Sequence, residues 1–463
     1  MRVWHVKKGA EAKVRRSYPW VFSNELAHSP KDAEPGEPIE LRDYTDVPIA
    51  FGYGHPHSLI AFRTFTHGAQ PWDGTAEDFL LNRLQRAAAL RRRLGLDGTS
   101  HRLCFAEADG LPGLIVDRYR LVEPGAPAQV LAVQVSTAGM ERALPEILRA
   151  LERLVAAEAA AGPAAAIPWE RTAVLLDQGS SLRALEELPV LPKAWHKLPP
   201  GAWDGSQPAS ILVAPGLGAS QGEPLPFAVD FLGGQKTGFF LDQRANLGLA
   251  RDLLAALLDA PAGGAPAPGR TAPLRVLDLF SYVGQWGAVL AREAAQRGIA
   301  TEVLAVDASE RALGLAQRNI AALASAATLA AGSANRATVS VQTERRDIVE
   351  SLEGIPAASF DVVVCDPPAL VKRRKDLLKA QRAYQKLNRE AIRRVKPGGL
   401  IVTCSCSGLL SEEDFREALQ RAQVQAGRSV QWVARGGQGP DHAVRAEFPE
   451  GRYLKCWLGI VEG

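Results

Sequence analysis

The chain has 463 residues, a length that corresponds to about three domains of roughly 150 residues each. Hydrophobic residues make up 46% of it, which is enough to bury substantial cores and excludes a largely disordered protein. The formal net charge of +3 is only mildly basic, so any nucleic-acid surface must come from local clusters of charge.

The five cysteines include no C-x-x-C pair. They therefore predict neither a disulfide framework nor a metal site, and reduced thiols in the cytoplasm are the simpler interpretation. The start of the chain lacks the apolar core of a signal peptide, and no window offers eighteen uncharged apolar residues. We therefore predict a soluble cytoplasmic protein without a membrane partner.

Shifts in composition predict three domains. A turn-rich stretch at residues 67–74 ends a Gly/Pro/aromatic-rich opening, and a Pro/Gly-rich region at 198–222 precedes the last part. We place a small β-rich domain at 1–70, a central α+β domain at 74–200 and an α/β domain at 222–463. The Ala/Pro/Gly segment 261–273 has the composition of a linker inside the third domain.

The first domain carries a basic cluster close to the aromatic residues Tyr18, Trp20 and Phe22. Cations next to aromatic rings suit a small RNA-binding module, although these rings could equally form the core of the domain. The residues that we predict to bind RNA here are Lys7, Lys8, Arg15 and Arg16.

From residue 274 onwards, buried strands alternate with helices, a pattern typical of a mainly parallel, doubly wound sheet of the Rossmann-like kind. The first strand contains Asp278 and is followed by a turn with Gly284, and the second strand ends in Asp307. A carboxylate at that position can accept hydrogen bonds from both ribose hydroxyls of a dinucleotide or of S-adenosylmethionine. Asp347 follows a third strand, where it could accept from an adenine amino group or be a solvated loop acid.

The sequence Asp366-Pro367-Pro368 follows a fourth strand that begins at Phe360. Two prolines fix the backbone and remove donors, which leaves the Asp366 carboxylate directed at a planar base. Nicotinamide chemistry has no use for such a turn, so it favours S-adenosylmethionine and base methylation. Ala369 follows where amino-group methyltransferases usually place an aromatic residue that stacks on the base.

The next apolar run, 400–406, ends in Cys404-Ser405-Cys406. Carbon 5 of a pyrimidine becomes nucleophilic only after a thiolate adds at carbon 6, so carbon-5 methylation requires a cysteine near the donor. Cys406 lies nearer the carboxyl edge of the sheet, and Cys406-Ser407 with Glu412 matches the Cys-Ser-x4-Glu pattern of RNA cytosine carbon-5 methyltransferases. We predict Cys406 and Asp366 as the catalytic residues.

Positive charge is concentrated between residues 371 and 396, where eleven Lys and Arg residues accompany only two acids. This segment directly follows Asp366-Pro367-Pro368 and could form a phosphate-binding face or a solvated helix surface. The residues that we predict to bind RNA are Lys372, Arg373, Arg374 and Lys375.

Five ordered blocks carry a family resemblance that runs along nearly the whole chain. They lie at 17–23, 52–58, 107–117, 235–244 and 441–455. The chain resembles the PUA-domain-containing, class I S-adenosylmethionine-dependent 23S ribosomal RNA cytosine-5 methyltransferases. The resemblance implies an N-terminal PUA domain, a central α+β domain and a catalytic Rossmann-like domain. It also implies a ribosomal RNA substrate, and it is compatible with a homodimer.

Carried over by position, the resemblance implies a set of donor-binding residues. These are Lys236, Phe239, Gln243, Arg244, Asp278, Phe280, Gly284, Asp307, Asp347 and Asp366. The chain departs from the family pattern at two places. Gln285 stands where a second glycine is usual, and Ala369-Leu370 replaces Lys-Phe.

The resulting expectation is methyl transfer to carbon 5 of a cytosine in 23S ribosomal RNA through a covalent adduct with Cys406. One alternative keeps the fold and methylates a nitrogen of guanine or adenine without a thiol. Another is an RNA-binding assembly factor without catalysis. The sequence does not identify the nucleotide that is modified, because RNA is recognised largely by shape.

Overall fold

The computed structural model describes residues 1–68, 77–162, 166–218, 221–259, 272–330, 337–371 and 373–462. The residues at the predicted boundary near 70, most of the predicted linker 261–273, and Lys372 lie outside the described residues. The described chain divides into two compact units. Unit 1 comprises Met1–Leu212, Asp230–Gly238 and Pro440–Gly451, and unit 2 comprises Val213–Val229, Phe239–Gly439 and Arg452–Gly463. The three-domain division stays a prediction.

Unit 1 begins with a five-stranded mixed sheet in the order β1-β3-β4-β5-β2. Its elements are β1 (Arg2–His5), α1 (Glu11–Arg15), β2 (Trp20–Phe22), β3 (Glu37–Arg42), β4 (Pro48–Gly54) and β5 (Ile60–His67). Trp4, Ile39 and Phe62 are buried in its core. The rings of Trp20 and Phe448 pack edge to face, with 4.6 Å between their centroids. The strands thus form the small β-rich module that the opening residues predict.

A second five-stranded sheet of unit 1 has the order β10-β9-β8-β7-β6. The remaining elements of this unit are α2 (Glu77–Arg93), β6 (His101–Phe105), β7 (Leu114–Arg120), β8 (Gln129–Val135), α3 (Ala138–Arg142), α4 (Leu144–Ala160), β9 (Thr172–Asp177) and β10 (Ala194–Lys197). The strand β11 (Ala209–Val213) begins in unit 1, and its last residue belongs to unit 2. The core under this sheet also takes in Tyr53 of β4, whose hydroxyl donates to the Pro112 carbonyl at 2.6 Å.

Unit 2 contains a seven-stranded sheet in the order β15-β14-β13-β16-β17-β19-β18. The elements are β12 (Leu225–Val229), α5 (Arg244–Asp259), β13 (Leu274–Leu279), α6 (Gln285–Gln296), β14 (Thr301–Asp307), α7 (Glu310–Ala330), β15 (Val339–Arg345), β16 (Phe360–Cys365), α8 (Leu377–Arg394), β17 (Val395–Ser405), α9 (Glu412–Ala426), β18 (Val430–Gly436) and β19 (Lys455–Val461). The strands β15, β14, β13, β16 and β17 pair in parallel. β19 runs antiparallel to both β17 and β18, so β18 has the same direction as the parallel strands.

The strand order of unit 2 determines where a ligand can bind. The chain moves outward from β13 to β14 and β15, then returns to the other side of β13 with β16 and β17. Open α/β sheets bind ligands at the carboxyl ends of the strands at such a switch point. The candidate site is therefore expected beyond the ends of β13 and β16. No helix in the described part of the chain has the length and apolar character needed to cross a membrane.

Candidate active site

Asp366 lies one residue beyond the end of β16, and its carboxylate accepts hydrogen bonds from Gln243 and Trp286. The Gln243 amide donates to both carboxylate oxygens, at 3.0 and 2.9 Å, and the Trp286 indole N–H donates to Oδ2 at 3.0 Å. Gln243 is itself oriented by Asn246, whose amide donates to its Oε1 at 2.6 Å. Donors from two helical segments thus fix the orientation of the Asp366 carboxylate.

Cys406 follows the last residue of β17, the strand that pairs in parallel with β16. Its thiol lies 3.8 Å from the carbonyl oxygen of Pro367. Cys406 is partly exposed, whereas Cys104, Cys365, Cys404 and Cys456 are buried. The structure therefore brings the predicted nucleophile and the predicted acidic turn together at the carboxyl edge of the sheet.

The two other thiols on β16 and β17 have environments that suppress ionisation. Burial raises the pKa of Cys365 well above its ordinary value. Burial, and then the neighbouring Cys456 thiol, raise the pKa of Cys404. A thiol must ionise to act as a nucleophile, so Cys365 and Cys404 are suited to packing.

Asp278 is fully buried in β13, below the turn that leads into α6. Its Oδ2 accepts the Gly287 N–H at 2.9 Å, and its Oδ1 has no hydrogen-bond partner among the described residues. Burial raises the pKa of Asp278 to about 7, against the lowering effect of the Gly287 N–H, and the Asp366 and Asp307 carboxylates raise it further. Asp278 is therefore a buried acid with an unused acceptor.

The turn between β13 and α6 is conformationally strained. Phe280 has a φ of 62°, Tyr282 of 49° and Gly284 of 74°. Non-glycine residues at positive φ cost free energy and cluster at ligand-binding sites. A Cβ atom at Gly284 would lie 2.9 Å from the Cα of Ala316, so the turn has no room for a side chain there.

Asp307 ends β14 and holds this strained turn from the other side. Its Oδ2 accepts the Tyr282 N–H at 2.9 Å, and its Oδ1 accepts the Ser309 N–H at 2.9 Å. The Ser281 hydroxyl is buried without a partner among the described residues. Three carboxylates and an unsatisfied hydroxyl therefore surround a backbone turn shaped for close approach of a ligand.

Family models match both ends of the chain. The model of a PUA-like domain matches residues 5–67, and the model of a methyltransferase domain matches residues 271–445. The ribosomal RNA large subunit methyltransferase I of Enterobacter sp. (strain 638) is 31% identical over 455 residues, which cover 97% of this chain and 96% of that protein. The protein of the same name from Klebsiella pneumoniae (strain 342) is 32% identical over 455 residues, with coverage of 97% and 95%.

The chain belongs to the ribosomal RNA large subunit methyltransferase I family.

Solved structures show the same fold. A protein from Streptococcus mutans, described as a SAM-dependent methyltransferase, superposes with a TM-score of 0.66 at 16% identity, covering 99% of this chain and 100% of that one. The structure of SMU.776, described as a methyltransferase complexed with SAH, gives a TM-score of 0.68, also at 16% identity and with the same coverage. The predicted fold, a PUA-like domain with a Rossmann-like methyltransferase domain, is confirmed, as is S-adenosylmethionine as the cofactor.

The residues of the site fit the cofactor of this methyltransferase I family. Asp278 Oδ1 and the Ser281 hydroxyl have no partner among the described residues. The ammonium group on the methionine part of S-adenosylmethionine carries N–H donors that could serve both. Asp307, next to the strained turn, has the position of a ribose acceptor. Asp278, Ser281, Gly284 and Asp307 would hold the donor, which supplies an electrophilic methyl group.

Other predicted donor residues lie in different surroundings. Phe239 is buried against Phe227, with 5.2 Å between ring centroids, and Arg244 is buried at the start of α5. Lys236 is exposed at a positive φ of 47° in the segment that belongs to unit 1. Asp347 is exposed beyond β15, where it accepts the Val349 N–H at 3.0 Å. Contact of these four residues with the donor stays a prediction.

The two departures from the methyltransferase I pattern occupy contrasting environments. Gln285 is buried at the first position of α6, and its Oε1 has no partner among the described residues. Ala369 is exposed and Leu370 half-buried. Leu370 packs against the apolar core under β16 and β17. It therefore offers little surface for stacking on a base.

Sequence reasoning missed several polar side chains that shape this site, among them Trp286 and Lys455. Trp286 follows the glycine-containing turn after β13, where it has the pattern of an apolar residue at a helix start. The signal that could have identified it is the single tryptophan in a helix otherwise rich in alanine. The indole N–H of a buried tryptophan usually donates to an acceptor, so a polar contact could have been expected there. Lys455 opens a run of buried apolar residues in β19, and a lone lysine there was the signal.

Proposed function

We propose that this protein methylates carbon 5 of a cytosine in large-subunit ribosomal RNA and that Cys406 is the nucleophile. The observation that carries the proposal is the position of Cys406, the partly exposed thiol of the five, with its Sγ 3.8 Å from the carbonyl of Pro367 in the acidic turn. The name of the relatives, ribosomal RNA large subunit methyltransferase I, supports the RNA class.

In the proposed mechanism, the Cys406 thiolate adds to carbon 6 of an extruded cytosine and a sulfur–carbon bond forms. The electron pair of the ring double bond moves to carbon 5, which then takes up the methyl group. Asp366, oriented by Gln243 and Trp286, hydrogen-bonds the ring at nitrogen 3 and shares a proton there. A base then removes the proton of carbon 5, the sulfur–carbon bond breaks, and the thiolate leaves.

The RNA would be held by the part of the basic segment nearest the acidic turn. Arg373, Arg374 and Lys375 are exposed, and in the described part of the chain they form no ion pair. Further along α8, by contrast, Arg389, Arg393 and Arg394 all pair with Glu390. Cations without protein partners are the ones available to phosphates.

The side chains of the N-terminal basic cluster, unlike those of Arg373, Arg374 and Lys375, make polar or ring contacts within the described part of the protein. Lys7 donates to the Asn24 carbonyl at 2.9 Å, Lys8 lies over the Tyr44 ring at 5.6 Å, and Arg15 pairs with Asp43 at 2.6 Å. Arg16 donates to the Ala12 carbonyl at 3.2 Å. All four stay exposed, so their predicted contact with RNA requires only that these surface contacts rearrange.

Loss of the unpaired cations is expected to weaken RNA binding without affecting folding. The double variant Arg373→Gln/Arg374→Gln should lower the slope of log affinity against log salt by about 1.4, since each phosphate contact on a single strand contributes about 0.7. Fluorescence titration of an RNA fragment at several salt concentrations measures this slope. The matched control is Arg416→Gln/Arg421→Gln, which removes two paired cations from α9 and should leave the slope unchanged.

The proposed reaction is tested by transfer of labelled methyl from S-adenosylmethionine to total ribosomal RNA from cells that lack this gene. Hydrolysis and nucleoside chromatography then identify the product. Label in 5-methylcytidine of the large-subunit RNA is the expected result. Label in a methylated guanosine or adenosine would refute carbon-5 chemistry in favour of nitrogen methylation.

A further inference from the structure

Lys455 is a buried lysine that lies against the turn carrying Cys406. It opens β19 and lies opposite Ser405 of β17 in the antiparallel register. Its ammonium donates to the carbonyl oxygen of Ser407 at 2.7 Å and to that of Tyr453 at 3.0 Å. The residue is 4% exposed. A cation is therefore fixed next to the backbone of the residue that directly follows the proposed nucleophile.

This ammonium has no carboxylate partner within ion-pair distance among the described residues. The charged and titratable groups near enough to shift the pKa of Lys455 are Glu412, Cys406, Arg452 and Asp414. Glu412 is occupied by the Trp457 indole, which donates to its Oε1 at 2.7 Å. A buried ammonium without a close anion loses hydration that no opposite charge replaces, so its charged form is disfavoured. A thiolate at Cys406, in the turn that Lys455 holds through the Ser407 carbonyl, would supply a negative charge that compensates the ammonium.

The pKa of Lys455 reflects a balance between burial, which disfavours the ammonium, and nearby negative groups, which favour it. Burial lowers the pKa of Lys455 to about 8, while Glu412, Cys406 and Asp414 raise it and Arg452 lowers it. At neutral pH the ammonium form therefore still predominates.

Ser407 joins the same turn to the loop that follows Asp366. Its hydroxyl oxygen accepts the backbone N–H groups of Leu370 at 3.1 Å and Val371 at 3.2 Å, and it lies 2.9 Å from the Tyr384 hydroxyl. Lys455 holds the carbonyl of this residue. Both the side chain and the carbonyl of Ser407 are therefore held by hydrogen bonds, which fixes the backbone next to Cys406. The position of the Lys455 ammonium relative to this backbone is fixed by the same contacts.

We infer that Lys455 is a positioning residue for Cys406, whose ammonium favours the thiolate over the thiol. This inference rests on the proposed function, in which Cys406 must ionise before it can add to the ring. The proton of the thiol passes to solvent, and Lys455 keeps its own proton. An ordinary cysteine, with a pKa of about 8.5, would be ionised to only a few per cent at neutral pH.

The test is the pH dependence of Cys406 alkylation by iodoacetamide, read by mass spectrometry of the peptide that contains it. In the wild-type protein, the midpoint should lie below about 8.5, the ordinary thiol value. Lys455→Gln keeps hydrogen-bond donors without charge and should raise the midpoint by about one unit, so that alkylation at pH 7 slows about tenfold. Lys455→Arg keeps the charge and should retain a midpoint near that of the wild type.

The matched control is Lys197→Gln in unit 1. Lys197 also donates to two backbone carbonyls, those of Trp169 and Thr172, and burial also lowers its pKa. Its replacement should leave the midpoint of Cys406 unchanged. A wild-type midpoint at or above 8.5 would overturn the inference without any variant, and so would equal shifts in Lys455→Gln and Lys455→Arg. Alkylation requires no RNA, so a low midpoint that depends on Lys455 would survive even if the methylated atom proved to be a nitrogen.

Discussion

Replacement of Cys406 with alanine is expected to abolish methyl transfer to RNA while S-adenosylmethionine binds as before. Without the thiolate, carbon 5 of cytosine never becomes nucleophilic, so kcat should fall by on the order of 10⁴-fold or more, as for other enzymes that lose a nucleophile. The donor should still bind, because Asp278 and Asp307 lie on β13 and β14, and Cys406 lies beyond β17. Methyl-transfer assays and calorimetric donor titration measure the two effects separately.

Cys404→Ala provides the matched control for this variant. Cys404 is two residues away, within β17, is buried, and lies opposite Cys456 on β19. Its loss should reduce stability by about 1 kcal/mol through a small cavity and leave turnover largely intact. A Cys406→Ala enzyme with wild-type turnover would rule out the covalent scheme, whatever the product.

An RNA containing 5-fluorocytidine adds a direct test of the adduct. Fluorine at carbon 5 cannot leave as a proton does, so the sulfur–carbon bond should persist after methyl transfer. A protein–RNA complex that survives denaturing electrophoresis is expected for wild type and Cys404→Ala, and none for Cys406→Ala. An adduct through a cysteine other than Cys406 would show that this other cysteine is the nucleophile.

The catalytic sheet could be predicted from sequence because its inner strands are buried on both faces. The runs that begin at Leu274 and Phe360 are apolar nearly throughout, and they form β13 and β16 as predicted. The carboxyl ends of parallel strands meet at one edge, so Asp278, Asp307 and Asp366 could be assigned to a common site from sequence alone. The order of the last three strands could not, because β19 enters between β17 and β18 through long-range pairing.

The contacts that support the site were beyond prediction for a different reason. Trp286 and Gln243 converge on Asp366 from helical segments separated along the chain, and only the packing of α5 and α6 brings their donors together. Lys455 lies 49 residues beyond Cys406 in sequence and reaches it through an antiparallel strand pair. Charge patterns likewise do not reveal partners: the pairing of Arg15 with Asp43 spans 28 residues.

Replacement of Asp278 with asparagine is expected to stabilise the ligand-free protein at neutral and alkaline pH. The pKa of Asp278 in the folded protein is about 7, above its ordinary value of 3.8, because burial penalises the carboxylate. The folded state therefore holds the proton more tightly than the unfolded state does, and the ionised carboxylate costs stability increasingly as pH rises from about 4 to about 7. The full cost by linkage is on the order of 4 kcal/mol.

Asparagine at position 278 avoids this cost and can still accept the Gly287 N–H through its amide oxygen. However, the asparagine amide places N–H groups where Asp278 has an oxygen without a partner among the described residues, and a buried donor without a partner also costs free energy. The net gain in stability should therefore be roughly 2 kcal/mol, which is smaller than the linkage value. Urea unfolding of wild type and variant at a series of pH values measures the difference. The difference should be near its maximum above pH 7 and decline towards pH 4; a constant difference across this range would contradict the assigned cause.

The same replacement should weaken donor binding, because the unpartnered Oδ1 of Asp278 is the acceptor available to a cationic N–H group. Loss of a hydrogen bond between charged groups costs about 1.5–3 kcal/mol, which corresponds to roughly tenfold to hundredfold weaker binding. In the wild-type protein, affinity for S-adenosylmethionine should decline as pH falls below about 7 and Asp278 takes up a proton. Calorimetric titration between pH 5.5 and 8 should show this decline for wild type and a flatter profile for Asp278→Asn. A more stable but weakly binding variant would mean that Asp278 is kept ionisable for the donor at the expense of the fold.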